Sequence, residues 1–245
     1  MKYSEYINGL LVDAYFSEDS VNNIFLPLLD KLVELHNVKN RRIVCFVAAP
    51  PGTGKSTLVS FLEYLFKKNY STLKLQSLGM DGFHLYQDYL LTHEVNIDNK
   101  IVKMVEIKGN PLTFDVDRLN AKLNELISLK SLKWPIYDRT LHNPVEDQIE
   151  VDADIVLVEG NYLLLDKPKW KDLIKYADYK VFIDSDIEIL KKRLVERKAK
   201  SSLSYDEAVK FVLNSDLKNA LICKSSSVAP DLFIYTDKDG EFIKR

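Results

Sequence analysis

The sequence predicts an α/β fold: a doubly wound, mostly parallel sheet with helices on both faces. Three observations carry that expectation. Ile43-Val44-Cys45-Phe46-Val47-Ala48, Ile155-Val156-Leu157-Val158 and Tyr179-Lys180-Val181-Phe182-Ile183 are short, almost continuously apolar runs, as expected of strands covered on both faces. Helical patterns alternate with them, with Leu58, Phe61, Leu62 and Leu65 after the first run and Leu119, Leu123 and Ile127 before the second. The glycines and carboxylates gather at the carboxyl ends of these runs, where ligands bind in such sheets.

The remaining elements come in chain order. Tyr6, Ile7, Leu10, Leu11, Ala14 and Tyr15 recur at helical spacing and predict a first helix. Leu28, Leu29, Leu32, Val33 and His36 predict a second, which Pro27 opens or kinks. Together they make a helical addition over residues 1–40, ahead of a core over residues 41–245, all within one domain. Whether the addition packs on the core or forms an interface stays open, and so does a homodimer. Residues 73–78 read as a strand, and residues 91–108 as a mixed, mobile insertion. Asp115 caps the next helix, and Ser204-x-x-Glu207 is a capping box for a later one. Leu232-Phe233-Ile234-Tyr235 and Phe242-Ile243, joined by Asp237-Lys238-Asp239-Gly240, predict a terminal hairpin.

Composition narrows the function classes. Apolar residues make up 46% of the 245, enough for a sizeable core, and the net charge is −2. That balance argues against general affinity for nucleic acid or for acidic membranes. Cys45 and Cys223 have no metal-type spacing, and Cys45 reads as a buried thiol. His36, His84, His93 and His142 are equally scattered. With no signal-peptide core and no membrane-length apolar stretch, a soluble cytoplasmic protein is the expectation.

Directly after the first apolar run, residues 49–57 read A-P-P-G-T-G-K-S-T. Strand, glycine loop and Lys-Ser pair make the layout of a phosphate-binding P-loop, so the fold is expected to be that of a P-loop NTPase. Pro51, Gly52, Thr53, Gly54, Lys55, Ser56 and Thr57 are the candidate nucleotide-binding residues. Small residues let the backbone N–H groups curl around phosphates, and the adjoining helix aims its positive end at the same anion. Lys55 would reach the β- and γ-phosphates, and Ser56 would offer a hydroxyl to Mg²⁺. Ala49 stands where the motif's first glycine belongs, so an ordinary backbone φ is expected there.

Two more strand ends carry carboxylates, Asp81 in Met80-Asp81-Gly82-Phe83-His84 and Glu159 in Glu159-Gly160-Asn161-Tyr162. A carboxylate at the end of a buried strand is costly without a partner or a task. Glu159 is placed to hold Mg²⁺, directly or through water, with a cap on the following segment as the plain alternative; Asp81 is placed to accept a hydroxyl proton, with a turn start before Gly82 as its alternative. His84 reads equally as a substrate contact or a satisfied structural histidine. Tyr137-Asp138-Arg139, in a segment of little regular pattern, offers a guanidinium to a polyol or phosphate, or simply a surface ion pair. Arg193 and Arg197, spaced i, i+4 on a basic helix after the last core strand, suit the spread charge of phosphoryl transfer. A solvated helix face is the alternative.

This ordered series resembles the P-loop kinases of the uridine kinase, phosphoribulokinase and bacterial pantothenate kinase superfamily. The resemblance runs from Arg42 to Ile234 and adds four motifs to those above: K-G-N-P-L-T-F-D (108–115), W-P-I-Y-D-R-T (134–140), R-L-V-E-R-K (193–198) and N-S-D-L-K-N-A (214–220). The set looks most like the uridine kinase-like, fructose-transport-associated branch. The resemblance implies ATP and Mg²⁺, transfer of the γ-phosphoryl group to a hydroxyl of a small metabolite, and a helical lid near residues 187–203. By matching motif it makes Asp81 the base, Arg193 and Arg197 the lid arginines, and Lys108, Tyr137 and Arg139 candidates for the substrate pocket. A sugar or sugar-like polyol is the first acceptor it suggests, a nucleoside the second and pantothenate the third. Residues 92–106 fit the pattern poorly. P-P-G-T-G-K-S also occurs in AAA-type ATPases, but those place an Asp-Glu pair where this chain has Glu159-Gly160. A nucleotide-binding regulator without catalysis is the third class.

Overall fold

The computed structural model describes the chain except Asn8, Asp98, residues 201–203 and Arg245; of Leu10 it describes the backbone. The strands are β1 (Lys2–Ile7), β2 (Leu10–Tyr15), β3 (Ile43–Ala48), β4 (Leu75–Gly79), β5 (Glu94–Ile97), β6 (Lys100–Lys103), β7 (Leu132–Asp138), β8 (Asn143–Val151), β9 (Ile155–Gly160), β10 (Tyr179–Ser185), β11 (Leu232–Thr236) and β12 (Phe242–Lys244). The α-helices are α1 (Glu18–Ser20), α2 (Leu26–Lys39), α3 (Lys55–Asn69), α4 (Gln87–Thr92), α5 (Val116–Ser128), α6 (Ile187–Ala199), α7 (Tyr205–Phe211) and α8 (Leu217–Ser225).

The central sheet has the order β12-β11-β10-β3-β9-β4, parallel except for the edge strand β12. The expected doubly wound fold is therefore present. β3 is buried along its whole length, and its alternate residues feed two cores. Ile43, Cys45 and Val47 pack with Leu28, Leu29 and Leu32 of α2 and Phe61 and Leu62 of α3. Val44 and Phe46 face Leu119, Leu123 and Leu126 of α5, with Trp134 and Trp170. Each such fully buried aliphatic side chain contributes about 1.5–3 kcal/mol. Burial pushes the Cys45 thiol well above its usual range, in line with a purely packing role. Leu126, not Ile127, completes the buried stripe of α5; Ile127 is exposed.

The N-terminus corrects the first expectation. Residues 2–15 form not a helix but the antiparallel hairpin β1–β2, closed beside Gly9 at φ +80°. The apolar pairs Tyr6-Ile7, Leu10-Leu11 and Ala14-Tyr15 recur every four residues as on a helix, but burial follows a strand: Tyr3 is inside, whereas Tyr6, Leu11 and Tyr15 are exposed. The hairpin rests on α3, where Phe16 stacks on Phe61 at 3.8 Å and the Tyr3 hydroxyl meets Ser60 Oγ at 2.7 Å. The second predicted helix is present as α2. A π-helical turn over Val21–Phe25 precedes it, and Leu26 N–H donates to the Val21 carbonyl just before Pro27, which has no N–H to give.

The irregular stretches are more ordered than expected. Within residues 91–108, β5 and β6 form a short antiparallel pair with Asn99 in the left-handed region. Residues 134–139 begin in β7, which pairs with β8 and is interrupted between Trp134 and Ile136, at Pro135. The predicted β4 strand begins two residues late, at Leu75, and the β11–β12 hairpin and the Ser204 capping box are as expected. The helix expected from residue 187 is α6. Its Leu194 and Val195 cluster with Ala208 of α7 and with Val212, which opens a π-helical turn leading into α8. Residues 201–203 of the expected lid lie outside the described residues.

Candidate functional site

Register brings the strand ends together. Val47 and Gly79 both sit opposite Glu159, so β9 ends between the glycine loop after β3 and the Met80–Phe83 turn after β4. Asp81 lies two residues past the end of β4, on the far side of Glu159 from the loop.

The loop has the geometry of a phosphate cradle. Gly52 and Gly54 adopt φ +91° and +86°, and Ala49 is not among the residues with positive φ. Thr53 Oγ1 donates to the Pro50 carbonyl at 3.0 Å and closes the turn. Gly54 caps α3 without a side-chain bond, which leaves the first-turn N–H groups around Lys55, Ser56 and Thr57 open to an anion. Helix α6 presses on the loop: a Cβ on Gly52 would sit 3.1 Å from Leu194 Cγ and 3.4 Å from the Leu190 carbonyl.

Ser56 Oγ donates to Glu159 Oε1 at 2.7 Å, and Lys55 Nζ stands 3.7 Å from Glu159 Oε2. Burial raises the Glu159 pKa, and the Asp81 charge raises it further, against the pull of Lys55. A hydroxyl and a carboxylate are hard oxygen donors of the kind that fit Mg²⁺. Asp81 differs. Burial pushes its pKa up, but His84, Lys55, Arg139 and Arg197 outweigh that and hold it below the usual carboxylate value. Its side chain is 47% exposed, so the ionised carboxylate faces open space.

Asp81 is braced from two sides. β7 crosses the Met80–Phe83 turn so closely that a Cβ on Gly82 would lie 2.5 Å from the Pro135 carbonyl oxygen. Trp134 Nε1 donates to the Gly79 carbonyl at 2.9 Å, and its ring meets Phe83 edge-on. This crossing brings Arg139 Nη2 within 4.0 Å of Asp81 Oδ2. His84 Nδ1 bonds the Asp81 carbonyl at 2.8 Å, and its ring packs on Phe114 and Tyr137, 4.0 and 4.9 Å away. Burial lowers its pKa, against the pull of the Asp81 charge. The structural reading of His84 is thus the one its contacts support.

Lys108 Nζ donates to Gln87 Oε1 at 2.5 Å and to the His142 carbonyl at 3.1 Å, 5.1 Å from the Tyr137 ring centre. Burial lowers its pKa and raises that of Tyr137 to about 12. Neither His84 nor Lys108 lines the cleft of about 480 Å³ beside Asp81; Tyr137, Arg139, Ser56 and Glu159 do.

Arg193 and Arg197, both on α6, are unequal. Arg197 approaches the largely buried Asp216 at 3.9 Å and is close enough to Asp81 to lower its pKa. Arg193 turns to the terminal hairpin, with Nη2 3.5 Å from the Asp237 carbonyl. Burial raises the Asp216 pKa, and Arg197 opposes that. Sequence reasoning missed Asp216 as a partner of Arg197, although it lies inside the N-S-D-L-K-N-A motif. It also missed the hairpin tip Tyr6, Ile7 and Gly9, which lines the same cleft; Asn8-Gly9 between β-rich runs was the available signal.

No helix among the described residues is long and apolar enough to cross a membrane. Comparison with known proteins agrees with the geometry. Residues 44–215 match the Phosphoribulokinase / Uridine kinase family. The chain is 37% identical to the uncharacterised protein YggC of Escherichia coli K12, over 99% of this chain and 98% of that one. It is 31% identical to a uridine kinase of Brevibacillus brevis, covering 69% of this chain and 72% of that one. A crystal structure from Silicibacter sp. TM1040, of a kinase provisionally assigned to a fructose transport system, superimposes with a TM-score of 0.72 at 27% identity, covering 82% of this chain and 97% of that one. The chain belongs to the phosphoribulokinase / uridine kinase family of P-loop kinases.

Proposed function

We propose that this kinase transfers the γ-phosphoryl group of ATP to a hydroxyl of a small, neutral, sugar-like polyol. One observation carries the reading: an ionised Asp81 opens on a cleft beside the Lys55, Ser56 and Glu159 cluster. Gly52, Thr53, Gly54 and Thr57, with Pro51 shaping the turn, cradle the phosphates. Lys55 neutralises them, and Ser56 and Glu159 would hold Mg²⁺, which would supply charge neutralisation to the phosphates. Asp81 accepts the proton of the acceptor hydroxyl as its oxygen bonds to the γ-phosphorus and the bond to the ADP oxygen breaks. Arg197 stabilises the charge on the moving phosphoryl group, with Arg193 behind it. Tyr137 and Arg139 contact the acceptor, while Lys108 and His84 hold Tyr137 and Asp81 in place.

The charge of the cleft supports a neutral acceptor. Among the described lining residues, the carboxylates Asp81, Asp138 and Glu159 stand against the single cation Arg139. An acceptor with its own carboxylate, such as pantothenate, would find Arg139 as the one cation among the described lining residues, and that cation already stands 4.0 Å from Asp81. A nucleoside is the second reading, favoured by the Tyr137 ring on the cleft wall and by the uridine kinases in the family. ADP release from Mg-ATP against sugars, polyols, uridine and pantothenate tests this directly. Release that depends on a neutral polyol is the expected result. Acceptor-independent release points to an ATPase, no release at all to a regulator, and release with pantothenate alone overturns the charge argument.

A further inference from the structure

The N-terminal hairpin does more than cover α3. Tyr6, Ile7 and Gly9 at its tip line the same cleft as Asp81, Tyr137 and Arg139. Its base is fixed to the nucleotide half of the molecule, because Tyr3 bonds Ser60 on α3 and Phe16 stacks on Phe61, further along the helix that carries Ser56. The tip is therefore held at a set height above the Ser56–Glu159 pair. Ile136 and Tyr137 of β7 also line the cleft. The cleft is thus bounded by apolar side chains from two hairpins and floored by the polar cluster, which suits a ligand with an apolar face and a hydroxyl-bearing edge. The hairpin also lies outside residues 44–215, the part of the chain that matches the family. The common kinase core supplies the floor and one wall; this addition supplies the other.

We infer that the β1–β2 tip, through Tyr6 and Ile7, is an acceptor-specificity element that selects among polyols by packing on the ring or carbon face of the acceptor. The inference rests on the kinase reading above. A hydrophobic wall discriminates ligands by contact area, so its truncation weakens acceptor binding without touching the phosphates or the base. Tyr6 is 71% exposed without ligand, leaving a large surface for an acceptor to cover.

The test is steady-state kinetics of the full chain with Mg-ATP against fructose, ribose, glycerol, uridine and pantothenate. Tyr6→Ala and Ile7→Ala are compared with wild type, with Tyr6→Phe as the conservative variant. Tyr15→Ala is the control, an exposed tyrosine of the same hairpin that does not line the cleft. The expected result is an acceptor KM raised about tenfold in Tyr6→Ala or Ile7→Ala, with the KM for ATP unchanged and kcat largely kept. Tyr6→Phe and Tyr15→Ala should retain the wild-type acceptor KM. If wild type turns over and neither alanine variant changes the acceptor KM, the inference is overturned and the kinase reading stands. An equal rise in Tyr15→Ala would also overturn it, since that marks general loosening of the hairpin. Wild-type failure with every acceptor would overturn the kinase reading and this inference together.

Discussion

On the proposed reading, the phosphate half and the acceptor half of the cleft are built by different means. The phosphate half is mainly backbone: two glycines at positive φ, an uncapped helix start and a strand register that sets Glu159 beside Ser56. Its geometry derives from the central sheet and leaves little room for variation. The acceptor half is side chains carried on two hairpins outside that sheet, Tyr137 and Arg139 from β7 and its end, and Tyr6 and Ile7 from β1. The proposal amounts to a division of labour in which the sheet fixes the chemistry and peripheral hairpins choose what it acts on.

The sharpest break between the halves should come from Lys55→Ala, which removes the point charge on the phosphates. It is expected to weaken ATP binding and lower turnover about 10²–10³-fold, as measured by calorimetry and ADP release. Normal ATP affinity in that variant would refute the P-loop half of the account. Arg197 and Arg193 offer the next contrast. Arg197→Ala should reduce kcat about tenfold more than Arg193→Ala, since Arg197 reaches the field of Asp81 whereas Arg193 is turned to the Asp237 carbonyl. Equal losses would mean that lid closure re-aims Arg193.

Gly82→Ala probes the joint between the halves. Its Cβ would meet the Pro135 carbonyl at 2.5 Å, so β7 must shift, at a cost of about 1–3 kcal/mol read as a lower Tm. Acceptor KM should rise with Tyr137 and Arg139 displaced, while ATP affinity stays near wild type. The smallest effect is electrostatic. Glu159 must be ionised to hold Mg²⁺, and burial together with the Asp81 charge raises its pKa above 4.5. Mg²⁺-dependent ATP affinity should therefore weaken as pH falls through that raised value. Asp81→Asn removes one of the raising charges and should move the limb to lower pH; an unmoved limb would mean that the two carboxylates do not interact.

Legibility in the sequence divided along the same line. The P-loop was readable because its residue types are dictated by the phosphate: glycines for the curl, then Lys and Ser at fixed spacing. Asp81 and Glu159 were readable because a carboxylate at a buried strand end needs a reason. The hairpins were not. In residues 2–15 the apolar pairs recur at the helical period, and only burial exposes the strand. Around Trp134, Pro135 interrupts the β ladder, and with it the alternation that marks a strand. Roles set by tertiary approach were equally hidden. Nothing in the composition of residues 193–198 distinguishes Arg197, held near Asp216, from Arg193, turned to the chain's last hairpin.

The central claim is that Asp81 takes the acceptor proton in a site whose phosphate half works without it. Its most direct test is Asp81→Asn, with ATP calorimetry and then single-turnover transfer to whichever acceptor supports wild-type turnover. The account predicts near-normal ATP binding with transfer slowed about 10²–10⁴-fold. Wild-type transfer rates in Asp81→Asn would contradict it.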